Sequence, residues 1–204
     1  MNLPNKLTLL RIMIIPIIII ISVIDALNIQ LNPNYVDGGV SITIQNLIIL
    51  VLFAIASFTD FLDGHIARKN NLVTDFGKFM DPLADKLLVM SALIILLEQG
   101  KFQVFGVGLG FVVILILARE FMVTGIRLIA VQNNKVIAAS PLGKAKTATQ
   151  MVMIILMFFD LSINTEFDTA SLIKTIIISI PFILTVVSGV DYFWKNRQII
   201  LSDR

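Results

Sequence analysis

The chain has no cysteine and a single histidine, His65, in 204 residues. The first absence excludes disulfides, thiolate metal sites and cysteine nucleophiles. The second excludes any site built on two imidazoles. Charge is scarce as well: charged residues make up 15% of the chain, against about 25% in an ordinary soluble domain. A net charge of +2 is too small for the cationic surface that nucleic acid requires, so no nucleic-acid partner is expected. What fills the chain is apolar, with 57% hydrophobic residues and a mean hydropathy of +0.92. A water-soluble domain of this length exposes too much surface to hide that fraction. A disordered chain needs the opposite composition. The expectation is an all-α integral membrane protein, one membrane-embedded domain over residues 1–204.

Six apolar stretches, near 7–25, 42–66, 78–98, 104–130, 146–164 and 170–194, are long enough to span a bilayer as helices of about 20 residues. They are continuous rather than alternating, which favours helices over barrel strands. In the first, Lys6 and Arg11 precede an apolar run, as in a signal peptide. No small-residue cleavage site follows, only Asp25-Ala26-Leu27-Asn28, and Pro16 interrupts the run, so it reads as a retained span. Pro181 is expected to kink the last span. If loops alternate sides, 14 of the 16 basic residues share the side of both termini, and only Lys101 and Lys174 lie opposite. With the acids included, the two sides carry +6 and −4. The positive-inside rule then puts the termini in the cytoplasm.

Most acids fall in loops, but Asp60, Asp63, Asp81 and Asp85 fall within the second and third spans, near their cytoplasmic ends. Charges inside spans are costly and usually functional. Asp60 and Asp63 are three residues apart, on one helical face that Gly64, Ala67 and Arg68 continue. Gly77, Asp81 and Asp85 recur every fourth residue on the next helix. A short connection makes these helices antiparallel neighbours, so four carboxylates are expected to converge. Such a cluster needs cations. Lysine or arginine could supply them. Hard oxygen donors without His or Cys also suit Mg²⁺ or Mn²⁺. Four carboxylates match two ions about 4 Å apart, an arrangement used in phosphoryl transfer. Gly64 and Gly77 would let a substrate approach the backbone or would simply ease helix packing. Arg68 could grip a phosphate oxygen.

The segment Asp60-Phe61-Leu62-Asp63-Gly64-His65-Ile66-Ala67-Arg68, then eight residues, then Gly77-Lys78-Phe79-Met80-Asp81-Pro82-Leu83-Ala84-Asp85, resembles the motif of the CDP-alcohol phosphotransferases, D-x-x-D-G-x-x-A-R-x8-G-x3-D-x3-D. All eight fixed positions match, across 26 residues, and His65 stands at a free one. The segment from Asn5 to Thr8 and Arg11 resembles the family's amino-terminal stretch. Ala118-Arg119-Glu120 to Gly125-Ile126-Arg127, and Gly143-Lys144-Ala145-Lys146-Thr147, are similar to a bacterial branch whose acceptor is sn-glycerol 3-phosphate.

The resemblance implies a six-helix membrane fold in the bacterial inner membrane, with the active site facing the cytoplasm, and commonly a homodimer among membrane lipids. It implies transfer of a phosphatidyl group from CDP-diacylglycerol to sn-glycerol 3-phosphate, releasing CMP. Two metal ions, Mg²⁺ or Mn²⁺, would be held by Asp60, Asp63, Asp81 and Asp85, with Asp85 also the general base. The donor would be bound by Asn5, Lys6, Leu7, Thr8, Asp60, Gly64, Arg68, Thr74 and Gly77. The acceptor phosphate needs its own cations, and Arg119, Arg127, Lys144 and Lys146 are the candidates, Arg119 because it falls inside an apolar span. The plainer role for these four is snorkelling at the span ends. Glu120 is expected to pair with one of them. Pro82, beside Asp81, either re-aims that aspartate or sits tolerated near a helix start.

The aspartate motif does not separate glycerol 3-phosphate from inositol phosphate, serine or phosphatidylglycerol as acceptor. Outside the family, aspartate-rich motifs with Mg²⁺ also serve intramembrane prenyltransferases, which have more spans. A cation transporter would line its path with carboxylates at mid-depth, where this chain has none.

Overall fold

Residues 14–21 comprise seven isoleucines around Pro16, a β-branched run that in water would favour a strand. In hydrocarbon an open strand leaves its backbone unsatisfied, and a helix does not. In the computed structural model, which describes residues 3–31, 39–69, 75–132, 137, 140–162 and 169–201, the run is helical. The elements in chain order are α1 (Leu3–Ser22), a 3-10 turn (Asp25–Leu27), β1 (Gly39–Ser41), α2 (Ile44–Lys69), α3 (Asp75–Glu98), β2 (Gln103–Val104), β3 (Val107–Gly108), α4 (Gly110–Gln132), α5 (Pro141–Met157), β4 (Asp160–Ser162) and α6 (Thr169–Leu201). The architecture is all-α, with six long helices among the described residues and four very short strands.

The chain divides into two compact units, Met1–Gln99 with Met157–Asn164, and Gly100–Leu156 with Thr165–Arg204. In the first, α1 packs against both α2 and α3. It buries Ile14, Ile15 and Ile18 and turns Met13, Ile17 and Ile20 outward. Gln45 Nε2, in the first turn of α2, donates to the carbonyls of Ile21 (3.0 Å), Ser22 (3.0 Å) and Ile24 (3.3 Å), closing the end of α1. Asn46 donates to the Phe158 carbonyl at 3.3 Å and accepts from Gln99 at 2.8 Å. Strand β1 pairs antiparallel with β4, Val40 opposite Leu161.

In the second unit α4 packs along α6. Phe111 meets Phe182 edge-on at 6.1 Å, Arg119 meets Ser188 and Arg127 meets Tyr192, so the two helices run in the same direction. Helix α5 starts with Ser140, whose hydroxyl accepts from the Gly143 N–H at 3.1 Å, followed by Pro141 in the first helical position.

The buried residues are mostly apolar, but polar groups are buried and apolar ones exposed beside them. Arg11, Asn46, Gln45, Thr8, Lys146, Gln150, Thr185 and Ser188 are buried, while Ile20, Val51, Ile114, Leu128, Ile183 and Trp194 are exposed. That suits an outer surface in hydrocarbon and not in water. Among the described residues, two helices are long and apolar enough to cross a membrane, over Asn5–Ser22 and Thr169–Gln198, and the stretch Ile44–Thr59 of α2 is apolar as well. In the others, charges interrupt the apolar run (Asp81, Asp85 and Lys86 in α3, Arg119, Glu120 and Arg127 in α4), or the helix is only 17 residues long, as in α5.

Several boundaries differ from expectation. Residues 104–108, expected to open the fourth span, lie in the β2–β3 hairpin. Its two turn residues, Phe105 (φ 50°) and Gly106 (φ 75°), are both left-handed, as a two-residue hairpin loop demands, and a helix cannot pass through them. The fifth helix ends at Met157, before β4, and starts at Pro141, because Ser140 caps it. Pro82 lies inside α3, two turns beyond the helix start, where its ring removes an internal hydrogen bond. Helix α6 continues through Pro181.

Gln45→Leu should lower stability by about 1–3 kcal/mol, because it strips the donor from three carbonyls at one helix end. Thermal unfolding of detergent-solubilised protein measures it. A Tm change no larger than that of Ile20→Leu on the exposed face would contradict the capping role.

Candidate active site

In the first unit α1 carries a polar stripe, Asn5, Thr8 and Arg11, all buried. The spacing of three keeps the stripe on one side of the helix. Thr8 Oγ1 donates to Asp81 Oδ1 of α3 at 2.5 Å. Arg11 Nε donates to the Ala56 carbonyl of α2 at 3.3 Å, and the guanidinium is completely buried. One stripe is thus bonded to both helices that bear the aspartate motif. Lys6 is exposed and Leu7 half-buried.

Asp81 and Asp85 are half-buried, one turn apart on α3, with Ala84 buried between them. Residues 60–69 complete α2 and Gly77 lies in α3, so the helical spacing read from the sequence is present in the backbone. The side chains of Asp60, Asp63 and Arg68, and the surroundings of Gly64 and Gly77, lie outside the described residues, as does Thr74 altogether.

The second unit holds a cluster of ions. Arg119 Nη1 donates to Glu120 Oε1 at 3.1 Å, and Lys146 Nζ of α5 donates to the same oxygen. The side chains are 12%, 18% and 3% exposed for Arg119, Glu120 and Lys146, so this is an interior charge cluster in which one carboxylate serves two cations. Arg119 Nη2 donates to Ser188 Oγ at 3.0 Å. Arg127, two turns along α4, is exposed; its Nε donates to Tyr192 Oη at 3.3 Å and its guanidinium lies 5.7 Å from that ring centre. Lys144 is exposed on α5.

The structure therefore brings Arg119 and Lys146 together, and leaves Arg127 and Lys144 outside that cluster. Glu120 pairs with both basic groups where one was expected. Ser188, Gly189 and Tyr192 were missed, although a Ser-Gly pair in a run of Val and Ile is a visible irregularity. Gln150 was missed too: it is buried one turn after Lys146, and neither polar atom of its amide has a hydrogen-bond partner among the described residues.

The family model for CDP-alcohol phosphatidyltransferases matches residues 1–187. The chain belongs to that family. It is 43% identical over 200 residues to the CDP-diacylglycerol–glycerol-3-phosphate 3-phosphatidyltransferase of Bacillus subtilis, covering 97% of this chain and 96% of that one. A protein of the same name from Rickettsia typhi is 38% identical over 192 residues, 94% of this chain and 95% of that one. Another from Mycoplasma pneumoniae is 34% identical over 205 residues, 97% and 87% of the two chains. In this CDP-alcohol phosphatidyltransferase family member the matched stretch takes in residues of both units.

Removing the shared acid should be more damaging than removing one of its bases. Glu120→Ala leaves two buried cations facing each other and is expected to cost about 3–5 kcal/mol. Lys146→Met leaves the Arg119–Glu120 pair intact and should cost less. Thermal unfolding of the two variants in detergent decides, and the reverse order would rule out Glu120 as the common anchor.

Proposed function

We propose that the chain transfers the phosphatidyl group of CDP-diacylglycerol to sn-glycerol 3-phosphate, forming phosphatidylglycerol phosphate and CMP in phospholipid synthesis. The observation that carries this reading is the near full-length similarity to proteins of that named activity, 43% identical over 97% of the chain in the first case. In this reading one domain crosses the bacterial inner membrane six times, and both termini and the site face the cytoplasm. The exposed apolar helices meet lipid, and the enzyme works as a homodimer.

The described residues suit a hard divalent metal. Asp81 and Asp85 offer oxygen donors one turn apart, and Thr8 donates to Oδ1 of Asp81, which orients the carboxyl group. Asp60, Asp63, Asp81 and Asp85 would hold two ions, Mg²⁺ or Mn²⁺, which would neutralise charge on the diphosphate when bound. Asn5, Lys6, Leu7 and Thr8 of α1, with Asp60, Gly64, Arg68, Thr74 and Gly77, would bind the CDP moiety. The buried bonds of Thr8 and Arg11 hold α1 against the aspartate helices, so the nucleotide meets a rigid wall.

The acceptor hydroxyl oxygen attacks the phosphorus that bears diacylglycerol. The bond from that phosphorus to the oxygen bridging it to CMP breaks, and CMP leaves with the electron pair. Asp85 takes the hydroxyl proton. Arg119 and Lys146 would receive the acceptor phosphate, with Arg127 and Lys144 as outlying cations. In their cluster the Glu120 carboxylate is shared between the two cations. Holding two substrates in line supplies much of the remaining acceleration.

In membranes supplied with CDP-diacylglycerol and Mg²⁺, CMP release should require glycerol 3-phosphate and fail with inositol phosphate, serine or phosphatidylglycerol. Release independent of glycerol 3-phosphate would end this assignment. Asp85→Asn should lower kcat by about 10²-fold or more, the usual worth of a general base, with CDP-diacylglycerol still bound. Substantial retained turnover would remove Asp85 from the proton-transfer role.

A further inference from the structure

Arg119 is held at three points, two of them on α6. Its Nη1 bonds Glu120 and its Nη2 bonds Ser188 Oγ at 3.0 Å. Ser188 is fully buried, and its own hydroxyl proton goes to the Thr185 carbonyl at 3.3 Å. With that proton committed, the serine oxygen presents lone pairs to the guanidinium, so it acts as an oriented acceptor. The third point is a gap. A Cβ at Gly189 would stand 3.0 Å from Arg119 Cγ, 3.7 Å from Nε and 4.0 Å from Cδ. The arginine stem therefore lies in a seat that exists because residue 189 has no side chain. The crowded atom is Cγ, close to the helix, and not the free end of a flexible chain. With the head tied to Ser188 and Glu120, the stem has little room to give way.

A guanidinium has five N–H groups. Two are used here, and Nε is buried with no partner among the described residues. One N–H on each terminal nitrogen is left for a ligand. None of this is needed to pack two apolar helices, and a lipid-facing α6 could carry Val or Ile at both positions.

We propose that Ser188 and Gly189 are positioning residues that fix the Arg119 guanidinium in one orientation for the phosphate group of the acceptor. The inference rests on the reading of Arg119 as an acceptor-phosphate ligand. It adds that α6 sets how tightly the acceptor is held. Neither residue touches the reacting atoms; both act through Arg119.

The test uses the full chain in detergent with saturating Mg²⁺, and measures KM for glycerol 3-phosphate and for CDP-diacylglycerol. Gly189→Ala and Ser188→Ala should each raise KM for glycerol 3-phosphate roughly tenfold, short of the about 10²-fold that a 1 Å misplacement can cost. KM for CDP-diacylglycerol should stay within about twofold, since only acceptor binding is affected. On an Arg119→Ala background, Gly189→Ala should change nothing further, because the atom it displaces is gone. A structural defect would instead persist on that background and affect both substrates, which would overturn the proposal. An unchanged KM for glycerol 3-phosphate in both single variants would also overturn it. If Arg119→Ala itself leaves that KM unchanged, the phosphate reading falls and takes the inference with it. If Arg119→Ala raises it and the two α6 variants do not, only the positioning role falls. Should Gly189→Ala fail to accumulate in membranes, Ser188→Ala and its double variant with Arg119→Ala carry the same comparison.

Discussion

A polar group surrounded by hydrocarbon can be satisfied only by the chain itself, and most of this architecture follows from that constraint. It turns an isoleucine run into helix α1. It closes the end of that helix with the Gln45 amide. It also explains why so few charged residues reach the interior and why each described one there is tied to another element: Arg11 to a carbonyl of α2, Asp81 to a hydroxyl of α1, Lys146 to a carboxylate of α4. Unpaired, any of these would cost several kcal/mol, on the order of a domain's whole stability margin.

The same constraint decides what could be read from the sequence. The aspartate motif was legible because charge inside an apolar run is conspicuous, and a spacing of three or four residues names a helical face. The helices were legible as runs, but their ends were not. The Phe105-Gly106 turn places a phenylalanine at a left-handed position, and no propensity argument assigns a phenylalanine there. Ser140 sets the start of α5 through a single hydroxyl bond, five residues before the apolar run expected from residue 146. The charges that mark the candidate site also interrupt the apolar runs of α3 and α4, so neither is among the two uninterrupted apolar spans found in the described residues.

The cation cluster was half legible. Arg119 stood out for its place inside α4, and Glu120 was expected to pair with one base. That it serves two depends on α5 packing Lys146 against it, a long-range fact with no local trace. Ser188 and Gly189 are the extreme case. A serine and a glycine in a membrane helix ordinarily signal close packing, and only the arginine stem lying over Gly189 gives the pair another meaning.

Each unit orients a charge with a neutral hydroxyl. Thr8 donates to the Asp81 carboxylate, and Ser188 accepts from the Arg119 guanidinium. A carboxylate or cation in the hydroxyl's place would satisfy either group more strongly, but it would also offset more of its charge. A hydroxyl fixes direction and leaves the charge in place. The two bases illustrate the difference. Glu120 is shared between Arg119 and Lys146, so neither base has that carboxylate to itself. Each further acid beside them would stabilise the fold and weaken the attraction for an anion. Local stability short of its maximum is therefore what a charged site inside an apolar protein requires, and the hydroxyl partners are how this chain limits the cost.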